Sequence, residues 1–131
     1  MIGLLIVTHC DLGKEFLSAA EFIVGSVQSA DSISITLTSD SEEIHKLISE
    51  KISALNDGSG VIILTDMFGG TPSNISLSFL EDKMVEVITG VNLPMVLAIA
   101  QNRNGCELSA LAKKACDAAK MGISLAGYLL K

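Results

Sequence analysis

Short, nearly uninterrupted apolar runs alternate with stretches whose apolar residues recur at helical spacing, and this alternation limits the possible folds more than any other feature. Ile2–Val7 and Val61–Leu64 are apolar throughout, the pattern of strands buried on both faces of a parallel sheet. Val85–Ile88 reads as a further strand, and Ile33, Ile35 and Leu37 alternate with Ser34 and Thr36 as in a half-exposed one. Between them lie helical patterns. Phe16, Leu17, Ala20, Ile23 and Val24 share one face before a stop at Gly25. Asp40 and Glu43 resemble a capping box ahead of Ile44, Leu47, Ile48, Ile52 and Leu55, and Asn56-Asp57-Gly58 ends that helix. Pro72 suits the first turn of a third helix, Pro94 opens a fourth, and Glu107–Lys120 is rich in Ala, Leu and Lys. The tail, Gly122–Leu130, returns to alternation (Ile123, Leu125) and reads as a peripheral strand.

The expected fold is therefore α/β: an open, doubly wound sheet of about four parallel strands plus a C-terminal antiparallel edge strand, with helices on both faces. At 131 residues, 49% of them apolar, the chain is expected to close around one core as a single domain, 1–131.

Charge and composition exclude several functions. Nine basic against 15 acidic residues, net −6, leave no basic patch for a nucleic-acid backbone or an anionic membrane surface. Trp is absent and aromatics are scarce, so base-stacking platforms are not expected. Three cysteines without a pairing pattern read as reduced thiols. The N-terminal run lacks a basic flank and a cleavage site, and no run reaches the roughly 18–20 apolar residues of a membrane span. A cytoplasmic protein with no direct membrane insertion is expected.

Doubly wound sheets bind ligands beyond the carboxyl ends of their strands, at a switch point. The first strand ends at Thr8-His9-Cys10-Asp11 and the third at Thr65-Asp66, which makes His9 and Asp66 the leading candidates. A neutral imidazole offers a lone pair, and a carboxylate accepting from Nδ1 would leave Nε2 outward as a nucleophile. The loop Phe68 to Asn74, FGGTPSN, adds two glycines that permit close backbone approach. Their N–H groups, with the Thr71 hydroxyl and the start of the next helix, suit an oxyanion. Gly69, Gly70 and Thr71 are thus candidate phosphate ligands, although a plain Gly-Gly turn with a helix cap explains the run equally well. Lacking a Lys, the loop is no Walker motif. Cys10 reads as a small apolar spacer, Cys106 and Cys116 as packing thiols, and His45 as solvent-facing. No residues have metal-ligand spacing, so neither metal nor other cofactor is expected.

Taken together, THCDLG after an apolar strand, VIILTDMFGGTPSN and ITGVNLPM resemble the enzyme IIA component, mannose family, of the bacterial phosphoenolpyruvate-dependent phosphotransferase system. The resemblance spans almost the whole chain, with three motifs in the family's order. It implies that His9 receives a phosphoryl group from the histidine phosphocarrier protein and passes it to an enzyme IIB component for carbohydrate uptake. It implies that Asp66 orients His9 and that Gly69, Gly70 and Thr71 receive the phosphoryl oxygens. It further implies a homodimer whose last strand, here Gly122–Leu130, is antiparallel and can be exchanged between subunits. Phe68 stands where some members carry Trp, and Cys10 where a small residue is common. The alternatives are a phosphorylation-dependent regulatory module without a permease, the phosphotransferase subunit of a dihydroxyacetone kinase, and an anion- or nucleotide-binding domain without transfer.

Overall fold

A computed structural model describes residues 1–131. In chain order the elements are β1 (Gly3–His9), α1 (Leu12–Val24), β2 (Ala30–Ile35), α2 (Ser41–Leu55), β3 (Val61–Thr65), α3 (Thr71–Leu77), β4 (Val85–Thr89), α4 (Leu93–Asn102), α5 (Leu108–Met121) and α6 (Ala126–Leu129). The strands form one sheet of order β2-β1-β3-β4, every pair parallel.

The apolar runs are buried on both faces, as their composition requires. Leu4 and Ile6 point into a cluster with Ile62, Leu64, Ile99, Leu111 and Ala115, under the α1, α4 and α5 face. Leu5 and Val7 point the other way, into a cluster with Ile48, Val61 and Ile63 beneath α2. Each such side chain removed from water contributes roughly 1.5–3 kcal/mol. Helices lie on both faces because each face is apolar.

Several expectations need correction. The tail does not pair as an antiparallel strand. Its end folds as the short helix α6, in which the Tyr128 N–H donates to Leu125 O and the Leu130 N–H to Ala126 O. A strand needs a neighbour's N–H and C=O groups; within one chain this tail meets no sheet edge and bonds to itself. β2 stops at Ile35, because Thr36 and Ser39 close a turn: the Thr36 N–H donates to Ser39 Oγ at 2.9 Å. Leu37 is fully exposed there. Asp40 is the N-cap of α2, but its side chain makes no capping bond.

The order of the strands positions the site. The chain moves from β1 outward to β2, and α2 then carries it back to β3 on the other flank of β1. The crevice between β1 and β3 is the point where the winding reverses.

Candidate functional site

His9 and Asp66 stand on either side of that crevice, one ending β1 and the other directly following β3. Asp66 Oδ2 accepts twice from the same residue, from the His9 main-chain N–H at 2.9 Å and from ring Nδ1 at 2.8 Å. Its second oxygen, Oδ1, accepts from the Met67 N–H at 3.0 Å. Burial of Asp66 favours the neutral acid, but the bonds from the His9 N–H and imidazole outweigh it and hold the carboxyl below its ordinary value. A carboxylate only accepts, so Nδ1 carries a proton, and in the neutral ring the lone pair is on Nε2. The Asp66 side chain is 12% exposed and that of His9 46%, so the orienting group is sheltered while the ring reaches solvent.

The glycine loop lies against the outer edge of the ring. A Cβ built on Gly70 would stand 2.8 Å from His9 Cε1 and 3.3 Å from Nε2, so any side chain there would displace the imidazole. Gly69 has φ +88°, a left-handed conformation that glycine adopts without strain. Thr71 opens α3 with Pro72 beside it, exposed on the same rim. All five candidate residues therefore gather on one rim.

Sequence reasoning missed how this rim is braced. After His9 the chain turns through Cys10 at φ +51°, and the Cys10 N–H donates to Ile35 O at 2.8 Å. Cys10 is exposed on that turn and is not the packed spacer expected of it. Ser34 Oγ donates to Asp11 Oδ1 at 2.7 Å, a tie across strands that no spacing in the sequence signals. The N–H groups of Gly90 and Val91 both donate to Thr65 O at 3.0 Å, and Asn92 caps α4 by accepting from Met95 N–H. The GVNLPM segment thus supports the loop from β3. Cys106 and Cys116 are half-buried against the core, and His45 is exposed with its ring beside Phe79.

A concavity of about 660 Å³ lies near Ser59, Glu81, Glu86 and Glu107 at the opposite end of the sheet and contains none of the candidates. Around His9 three large apolar side chains face solvent: Leu12, Met67 and Phe68.

Comparison with known proteins places these features in context. Residues 3–116 match the profile of the family described as "PTS system fructose IIA component". The "PTS system sorbose-specific EIIA component" of Lacticaseibacillus casei is 34% identical over 111 residues, covering 82% of this chain and 78% of that one. The "PTS system mannose-specific EIIAB component" of Escherichia coli is 29% identical over 104 residues, 79% of this chain but only 32% of that longer protein. The crystal structure of phosphotransferase system component EIIA from Streptococcus agalactiae superposes with a TM-score of 0.89 at 26% identity, covering 98% and 99% of the two chains.

Proposed function

The chain belongs to the enzyme IIA family of the mannose/sorbose type, components of the sugar phosphotransferase system, and from that premise we propose that His9 is its phosphoryl acceptor. One observation carries the reading: Asp66 holds the Nδ1 side of the ring while Nε2 faces outward beside a glycine loop. Nε2 attacks the phosphorus of a phosphohistidine on the histidine phosphocarrier protein. The new N–P bond forms as the donor's N–P bond breaks, and the electron pair returns to the donor imidazole. Positive charge grows on the His9 ring during attack, and the ionised Asp66 stabilises it. Gly69, Gly70 and Thr71 receive the phosphoryl oxygens, each charge-assisted bond contributing roughly 1.5–3 kcal/mol. The same steps in reverse order hand the group to an enzyme IIB histidine. Positioning and electrostatics supply the catalysis.

The half-exposed His9 ring supports protein partners over a free small molecule, which would be held in a concavity. Leu12, Met67 and Phe68 ring His9 with the kind of exposed apolar surface that protein interfaces cover. Cytoplasmic placement accords with the absence of any helix long and apolar enough to cross a membrane.

We also infer a homodimer joined through the tails. Beyond Val85, whose N–H and C=O bond to Glu81, the outer edge of β4 has no partner strand in this chain, and a groove of about 430 Å³ runs beside it between Glu86–Thr89 and Lys113. Ile123, Leu125, Tyr128, Leu129 and Leu130 are all more than half exposed. An open edge and an unpaired apolar segment complement each other across two copies.

A phosphate chase tests the relay. Protein labelled from phosphoenolpyruvate through enzyme I and the carrier should lose its label when a cognate enzyme IIB protein is added. Label that enters but is never drained would favour a regulatory module; no label at all would favour an anion-binding domain without transfer.

A further inference from the structure

We propose that Thr8 is a positioning residue for phosphoryl transfer, its buried hydroxyl acting as a latch that fixes the turn on which His9 is carried. The inference rests on His9 being the acceptor. Thr8 is fully buried, and its Oγ1 serves two neighbours. It accepts from the Gly13 N–H at 2.9 Å and donates to the Cys10 carbonyl at 3.2 Å.

The first bond does the work of a helix cap. Asp11 occupies the N-cap of α1 but makes no capping bond; its side chain accepts from Ser34 instead. The amides of a first helical turn have no partners within the helix. Thr8 supplies one from the strand. It reaches Gly13 because α1 starts close against β1: a Cβ at Gly13 would stand 2.9 Å from Ile6 O.

The second bond steadies a strained turn. Cys10 sits at φ +51°, which a residue bearing a Cβ adopts only when its surroundings impose it. The Thr8 hydroxyl holds the Cys10 carbonyl and Ile35 O holds the Cys10 N–H. His9 is thereby clamped between two fixed neighbours, which sets the direction of its ring toward Asp66. Without the hydroxyl, the buried Gly13 amide loses its acceptor and the turn is free to relax toward negative φ. The imidazole then swings off Asp66 while the β1 backbone stays in the sheet.

Three variants and one measurement on the unmodified protein test this. Thr8→Val keeps the shape and removes the hydroxyl; Thr8→Ser keeps the hydroxyl; His9→Gln is the blank. With phosphorylated carrier as donor, Thr8→Val should lower kcat at least about tenfold with KM for the carrier little changed, since misplacing a reacting group costs rate. Thr8→Ser should return kcat to within a few-fold of wild type, which a purely volumetric role for the methyl would not allow. In the unmodified protein the Gly13 amide should exchange slowly with solvent, and this readout stands even if Thr8→Val fails to fold. A folded Thr8→Val that transfers at the wild-type rate, a Thr8→Ser as slow as Thr8→Val, or a freely exchanging Gly13 amide would each overturn the latch. Wild-type protein that takes no label would instead overturn the reading of His9, and would be recognised because the Gly13 measurement does not depend on transfer.

Discussion

His9 and Asp66 lie 57 residues apart in the chain, yet one carboxylate oxygen holds both the main-chain N–H and the ring of the histidine. That double contact fixes ring rotation and tautomer together. Asp66→Asn tests it, because the amide carries no charge to stabilise the imidazolium and its nitrogen must oppose the main-chain N–H of either His9 or Met67. Phosphoryl transfer should fall roughly 100-fold or more, measured as single-turnover label uptake, while the far-ultraviolet circular dichroism is unchanged. Acid stability carries a second signature. The native carboxyl lies below its free value of 3.8, so its stabilising contribution is complete above about pH 5 and declines as pH falls through and below 3.8. The gap in unfolding midpoint between wild type and Asp66→Asn should therefore close as the pH falls below 3.8; a gap that persisted unchanged through that range would contradict the bond network. These two residues were legible in the sequence because both follow an apolar run, which locates them at strand ends. Thr8, Ser34 and Ile35 were not, since their roles depend on a turn whose left-handed residue, Cys10, carries no glycine to announce it.

At the scale of elements, the two-sided apolar runs and the helical spacing between them were enough to place the four parallel strands and five of the helices. Contacts between distant elements left no comparable trace. Gly3 reads as one more small residue in a strand, yet a Cβ there would lie 2.7 Å from the carbonyl oxygen of Leu55, the last residue of α2. Gly3→Ala should therefore destabilise the protein by roughly 1–3 kcal/mol through overpacking, read from the urea midpoint. Transfer by the folded fraction should be unaffected, because Gly3 is at the end of β1 remote from His9. A midpoint equal to wild type would show that α2 is free to shift. Element ends were less legible than elements: β2 stops at Ile35 because the Thr36–Ser39 turn takes the next amide, a local bond that outweighs the alternating pattern.

The molecule as a whole presents a solvent-facing imidazole on one rim of the sheet and, along β4, an edge without a partner strand. The alternation in Gly122–Leu130 pointed to a strand, and within a single chain that segment ends in a short helix with its apolar side chains in solvent. Alternation alone makes no strand where a segment has no neighbouring edge to pair with, and this one bonds to itself instead. If the tails join two copies, removing residues 123–131 should convert a dimer into a monomer by sedimentation velocity; a full-length chain that sediments as a monomer would remove the tails from assembly. The central claim concerns the other rim. Protein phosphorylated from phosphoenolpyruvate, enzyme I and carrier should be mapped by mass spectrometry under non-acidic conditions, beside His9→Gln. The account predicts one acid-labile phosphate, on His9, and none in the variant; label retained by His9→Gln, or mapped to another residue, would contradict it.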